Sequence, residues 1–244
     1  MKFDAAIIGG TGVGSRLIAL GGAPVHIPTP VGTIRGRHLE HQGANILLLS
    51  RHSAGHKVPP HKVNYVGMAT ALAQLEVKHC LASAAVGSLR EEWGPGTFIA
   101  CSDFLDFTFR NTTIHDATVV HTGFNDPFSP DLRASFISQG AKLGVKVEPK
   151  GIYLAGNGPR YETPHEITLY RQFGADIVGM TATSEAIVMK ESGVQYGCLA
   201  IVTNLAAGIS PTEPNHQEVE EEMNRSGEKA VQILLGTAVE LAQK

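Results

Sequence analysis

The sequence predicts an α/β fold, a single domain over residues 1–244 with a central mixed β-sheet flanked by helices. Three observations predict it. Apolar runs of strand length recur along the chain, and they are continuous rather than alternating, as in strands covered on both faces. Helical patterns fall between many of them. No linker, internal repeat or low-complexity segment divides the chain, and 244 residues with 43% hydrophobic content can bury a substantial core.

The elements follow in order. "AAIIGG" (5–10) reads as the first strand; its apolar run is too short for a signal peptide. "NILLLS" (45–50), "HCLASAAVG" (79–87) and "TFIACS" (97–102) read as further strands, with a helical pattern over 62–77 between the first two of them. Residues 106–130 form a long connection, expected to be functional or an interface. A helical pattern follows over 130–143, then the strand "GIYLAG" (151–156). Residues 163–173 carry a helix start signal: Thr163 as N-cap, Pro164 at the first helical position and Glu166 three residues on. "ADIVGM" (175–180) and "YGCLAIVTN" (196–204) complete the strands, with Glu185 just inside a helix between them. A long amphipathic helix is expected over 215–242.

Composition removes several function classes. The formal net charge is −3 and there is no Lys/Arg run, so no nucleic-acid partner is expected. No apolar stretch approaches the ~20 residues of a membrane helix, so no membrane partner is expected. Cys80, Cys101 and Cys198 are scattered in apolar contexts and read as reduced core residues. A cytoplasmic enzyme is the expectation.

Several strand ends carry chemistry. In "IIGGTGVG", Gly9, Gly10, Gly12 and Gly14 let the backbone approach an anion and Thr11 adds a hydroxyl; a plain tight turn is the alternative. The dinucleotide fingerprint fails at Ser15, and the Walker Gly-Lys-Ser/Thr is missing. "SRHSAGHKVPPHKVNY" (50–65) places Arg51 and His52 at a strand end, with His56 and His61 beyond. Gly55 and Pro59–Pro60 keep the rings off one helix face, and no Cys or carboxylate completes a set, so no metal is expected. Arg51 is better suited to an oxyanion, which its planar donors match. The backbone of "SAAVGS" (83–88) offers N–H groups beside Ala84. "GNGPRYETPHE" (156–166) sets Tyr161 next to Glu162, "VGMTATSEA" (178–186) ends a strand at Met180 and Thr181, and "AIVTNLAAG" (200–208) ends an apolar run on Asn204. A ring, a sulfur, a carboxylate and an amide suit a heterocyclic base, although each alone also suits a core or a turn.

Together "IIGGTG", "RHSAGHKVPPHKVNY", "GPRYET", "VGMTATSEA" and "TNLAAG" come in the order and with the spacing of the trimeric purine nucleoside phosphorylase and methylthioadenosine phosphorylase family, which the chain resembles over nearly its whole length. The resemblance implies a purine nucleoside and inorganic phosphate as co-substrates, no metal or organic cofactor, and a homotrimer or a dimer of trimers. It implies a phosphate site at Thr11, Arg51, His52, the backbone of Ala84 and the hydroxyl of Thr181. It places His56 near phosphate and sugar, as a catalytic candidate with Asn204. It puts Met180 under the ribose, Tyr161 near the base, and Val178 in the pocket wall. Phe124 resembles the aromatic that a neighbouring subunit lends to the sugar end, with His121 a competing candidate. Some relatives have a threonine where Ala84 stands, so one donor is missing there.

The family divides by base and by sugar. Asparagine carries a donor and an acceptor, so Asn204 can donate to O6 of a 6-oxopurine and accept from its N7–H. Glu162 can accept from N1–H, which only a 6-oxopurine carries. Both point to inosine and guanosine. In "PNHQEV" (214–219), His216 resembles the histidine that binds a 5′-hydroxyl, whereas Val219 would favour a 5′-methylthio group. The stretch 50–65 is more like the methylthio branch, so a 5′-methylthioinosine or methylthioadenosine phosphorylase is the alternative. A nucleoside-binding sensor and a hydrolase are the further alternatives.

Overall fold

In the computed structural model of the protein, residues 2–53, 55, 57–210 and 213–244 are described. The order among them is β1 (Ala5–Gly9), α1 (Val13–Ala19), β2 (Ala23–Thr29), β3 (Gly32–His41), β4 (Ala44–Ser50), a 3-10 turn (Pro60–Lys62) and α2 (Tyr65–Gln74). Then come β5 (His79–Ser88), β6 (Phe98–Ala100), β7 (Asp103–Phe107), α3 (Pro130–Lys142), β8 (Val147–Glu148) and β9 (Ile152–Gly156). The chain closes with α4 (Pro164–Gln172), β10 (Ile177–Gly179), α5 (Ala182–Glu191), β11 (Gln195–Leu205) and α6 (His216–Ala242).

All strands join one mixed sheet whose main path runs β2-β3-β4-β1-β5-β10-β9-β7. β11 lies along β5 on its other edge and carries β6 and then β8. The strands predicted as continuous apolar runs are the buried ones: β1 is buried throughout, and β11 is buried from Tyr196 to Asn204. One face of the sheet packs against α2 and α5 over a core that includes Leu72, Tyr153, Tyr196 and Met189. The other packs against α1, α3 and α6 over Ile7, Leu81, Phe136 and Leu234. The mixed α/β architecture is therefore the predicted one.

Local differences have local causes. The predicted helix over 62–77 begins only at Tyr65, because Val63 is extended after the 3-10 turn and Asn64 caps the helix by accepting from Gly67 N at 2.9 Å. The expected capping box at α4 is present, with Thr163 Oγ1 accepting from Glu166 N and Glu166 accepting from Thr163 N. The hairpin β2–β3 is not anticipated by the search for continuous apolar runs, since β2 alternates and carries Pro24 and Pro28, as an edge strand tolerates. α1 is likewise unanticipated; Gly12, at φ 72°, turns the chain into it. The long connection is shorter than expected, because β7 extends through Phe107.

One feature of the sheet opens a gap at the ends of its strands. β5 pairs with β1 in parallel at residues 80–82 and with β10 antiparallel at 87–88, on the same edge. β1 ends at Gly9 and β10 ends at Gly179, so the edge of β5 between these two partners is left open.

Candidate functional site

The gap opened between β1 and β10 is a cavity of about 250 Å³ floored by Ala84–Gly87 of β5. The loop ends after β1, β4, β10 and β11 converge on it, joined by the 157–162 loop and the start of α6. Thr11, Arg51, His52, Ala84, Tyr161, Glu162, Val178, Met180, Thr181, Asn204 and His216 all line it. Sequence reasoning thus brought together eleven residues from seven separate segments. His56 lies outside the described residues.

At one end the chemistry suits an anion. Gly10 is required for its shape: a Cβ there would sit 2.4 Å from Arg51 Nη1 and 2.8 Å from Ser83 O. Gly10 N donates to Ser83 Oγ, tying the glycine turn to β5. His52 Nδ1 donates to Val58 O at 2.7 Å, which sets the ring's orientation. Thr181 is the N-cap of α5 and makes no side-chain cap bond, so the hydroxyl and the positive end of the helix dipole share one edge of the cavity.

Arg51 differs from the expectation in one respect. Its fork, predicted to face an oxyanion, is taken by Glu185: Nε and Nη2 donate to the two carboxylate oxygens, and Nη1 donates to Ser83 O. Burial pulls the Arg51 pKa down, but the Glu185 charge and hydrogen bonds outweigh it, and the net shift is upward. The guanidinium is therefore locked as a cation, and only its remaining N–H edge faces the cavity. Tyr196 Oη donates to Glu185 Oε2 at 2.6 Å, so the carboxylate is held from two sides. Glu185 and Tyr196 are partners that sequence reasoning did not assign. The available signal was a carboxylate in a helix whose other inward positions are apolar or small.

The other end suits a polar heterocycle. A Cβ on Gly87 would lie 3.3 Å from Val178 Cγ1 and 3.5 Å from Asn204 Nδ2, so a flat floor is left between an aliphatic and an amide side chain. Asn204 Oδ1 accepts from Thr203 Oγ1 and Nδ2 donates to Leu205 O, both at 2.9 Å. Those two bonds fix which way the amide points, and they leave one donor hydrogen and one acceptor lone pair for a ligand. The bulge between Val202 and Asn204 in β11 is what turns this side chain into the cavity. Across the floor, Glu162 is half-buried, and a Cβ on Gly156 would strike its Oε1 at 2.8 Å. Burial lifts the Glu162 carboxyl above its ordinary value, only partly offset by its own backbone N–H.

The third side is made by Pro60, Met180, Pro214, His216 and Val219. His216 opens α6, and its Nε2 lies 3.5 Å from Glu220 Oε1. Two turns on from His216, Met223 packs against Gly12, where a Cβ would approach Met223 Cβ to 2.5 Å. The same helix therefore closes the third side of the cavity and braces the glycine turn after β1. Phe124 does not line the cavity of its own chain; it packs edge-on against Phe104, with ring centroids 6.3 Å apart. His121 is exposed. Among the described residues no cluster of His, Cys, Asp or Glu forms a metal-binding group, and no helix is long and apolar enough to cross a membrane. The three cysteines are free and buried.

Residues 4–238 match the family model described as "Phosphorylase superfamily". Among curated proteins, the chain is 42% identical over 234 residues to a "Probable 6-oxopurine nucleoside phosphorylase" of Moorella thermoacetica, covering 94% of this chain and 90% of that protein. It is 37% identical over 239 residues to the 6-oxopurine nucleoside phosphorylase of Pyrococcus furiosus, again covering 94% and 90%. Among solved structures, a methylthioadenosine phosphorylase from Schistosoma mansoni in complex with adenine superposes with a TM-score of 0.94 at 27% identity, covering 100% of this chain and 93% of that one.

Proposed function

This chain belongs to the phosphorylase superfamily, and from that premise we propose that it cleaves 6-oxopurine nucleosides, inosine and guanosine, with inorganic phosphate. The observation that carries the choice of base is the pairing of Glu162 with Asn204 across one floor. A carboxylate acceptor and an amide with one donor and one acceptor match N1–H, O6 and N7–H of a 6-oxopurine. Adenine has no proton on N1 and offers a donor at C6, so it leaves the Glu162 carboxylate facing a lone pair.

The reaction follows from the layout. A phosphate oxygen held by Thr11, the free N–H edge of Arg51, His52, the Ala84 backbone and Thr181 attacks the anomeric carbon as the bond from that carbon to the base nitrogen breaks. The bonding electrons leave with the purine. Asn204 donates to O6, where negative charge develops, and accepts from N7–H as N7 takes up a proton from solvent, while the phosphate releases its own proton to solvent. The sugar passes through a cationic, loosely bonded state that the phosphate charge stabilises from its open face. The products are free base and ribose 1-phosphate, and no metal or organic cofactor takes part. His56 is assigned to the phosphate and sugar side. We place the active form as a homotrimer in the cytoplasm, with Phe124 lent to a neighbouring site.

Incubating the protein with inosine, guanosine, adenosine, 5′-methylthioinosine and 5′-methylthioadenosine, each with and without phosphate, tests this reading. Release of hypoxanthine and guanine only with phosphate is expected. Base release without phosphate makes it a hydrolase, binding without release makes it a sensor, and faster cleavage of adenosine than inosine overturns the base assignment. One observation favours a second reading at the sugar end: Val219 is buried beside Pro214 and presents an apolar surface suited to a methylthio group.

A further inference from the structure

Three walls of the cavity meet at Gly158. A Cβ there would lie 2.4 Å from Met180 Sδ and 3.4 Å from Pro60 Cγ, so the 157–162 loop, the end of β10 and the 3-10 turn touch at this point. Behind it sits Arg110, from the long connection after β7. Its Nε donates to Asn157 Oδ1 at 2.9 Å and its Nη2 to Asn157 O. Its Nη1 faces Met180 O at 3.0 Å, Ser184 Oγ at 3.1 Å and Tyr65 Oη at 3.1 Å. The Tyr65 hydroxyl in turn donates to Pro60 O at 2.7 Å. One guanidinium thus reaches all three walls, directly or through one hydroxyl, and also α5, whose N-cap is Thr181.

The backbone is bent to deliver it. Phe109, the preceding residue, has φ 54° with a side chain 90% exposed. A bulky residue in the left-handed region is unfavourable on its own, and persists where surrounding contacts impose it. Arg110 supplies those contacts.

We infer that Arg110 is a positioning residue for the nucleoside: it fixes Met180 and Pro60 on the sugar side against the loop carrying Tyr161 and Glu162. Among the described residues it makes no hydrogen bond to Thr11, Arg51, His52 or Thr181, and it approaches the anion end only through Met180 O and Ser184 Oγ. Its loss therefore loosens the nucleoside end, where it holds three walls, far more than the phosphate end, where it reaches only the first turn of α5. This rests on the nucleoside phosphorylase reading.

The experiment is steady-state phosphorolysis of inosine by the full chain, with each substrate varied at saturating levels of the other. Arg110→Gln is expected to raise the inosine KM about tenfold and leave the phosphate KM within about twofold. Arg110→Lys, with a single ammonium for five N–H donors, is expected to fall between. Tyr65→Phe, which keeps the ring and removes only the hydroxyl, covers the case in which Arg110→Gln does not fold. It is expected to shift the inosine KM about twofold in the same direction, and to add little in the Arg110→Gln background. Unchanged inosine KM, or both KM values rising together, overturns the inference while the function stands. Wild-type protein that cleaves no purine nucleoside with phosphate overturns the function, and the inference with it.

Discussion

Glu185 holds Arg51 by both carboxylate oxygens, at 2.5 and 2.8 Å, with the two side chains 0% and 1% exposed. The positive charge at the anion end is therefore already matched within the protein. Removing one partner of such a pair leaves a bare buried charge. Glu185→Gln is expected to cost about 3–5 kcal/mol in chemical denaturation and to raise the phosphate KM, as the guanidinium loses its anchor. Arg51→Met with Glu185→Leu is expected to recover most of that stability and none of the phosphate use. Full phosphate use in the double variant would remove Arg51 from the anion site.

Under the proposed function, Glu162 connects pH to base recognition. Its carboxyl is raised by burial, so the folded protein holds that proton more tightly than the unfolded chain. The stability it contributes is present below the ordinary carboxylate value and is lost as pH rises through the raised one. Recognition of N1–H runs the opposite way, because only the carboxylate accepts. The acid limb of kcat/KM for inosine is expected to begin at a higher pH than an ordinary glutamate would give. Glu162→Gln is expected to abolish that limb, to lower kcat/KM by about ten- to a hundredfold, and to leave thermal stability at pH 7 unchanged or higher. An acid limb that survives in this variant would sink the assignment.

Asn204 is oriented by Thr203, and the two are separable. Asn204→Ala is expected to reduce kcat for inosine by about 10²–10³, the usual cost of one donor aimed at developing charge. Thr203→Val frees the amide to rotate and is expected to fall between wild type and Asn204→Ala. Asn204→Asp removes the donor to O6 and is expected to depress inosine turnover, with a further shift toward 6-aminopurines when Glu162→Ser is added. Equal turnover by wild type and Asn204→Ala would show that the amide does not stabilise the leaving base.

His216 and Val219 compete to define the 5′ group. The ring of His216 is 57% exposed and lies beside Glu220, so a hydrogen bond from it to a 5′-hydroxyl discriminates at the low end of the usual range. The ratio of kcat/KM for inosine over methylthioinosine is expected to be about ten and to fall in His216→Leu. A wild-type ratio below one assigns this end of the cavity to Val219 and the function to the methylthio branch.

Much of the site was legible because its parts are local. The glycine turn, the capping box at Thr163 and the amide that ends β11 each sit within a few residues, and each residue type is dictated by its own turn, cap or ligand chemistry. Eleven of the expected residues line one cavity because strands of one sheet deliver their ends to one gap. The hairpin β2–β3 was not legible in the same way, since an exposed edge strand with prolines lacks the continuous apolar run that marks a buried one.

The sequence by itself determined the class of fold, the end of the sheet where the candidate residues gather, and the choice of Glu162 and Asn204 as residues that line one cavity. Only the tertiary structure decided that the Arg51 fork is taken by Glu185, 134 residues away, and that Arg110 ties together three walls drawn from residues 60 to 184. The physical reason is range. Turns, caps and strands are set by the conformational preferences of adjacent residues, which a pattern records. The partner of a buried charge is set by which crossovers bring distant helices and loops to the same strand edge, and no local pattern carries that.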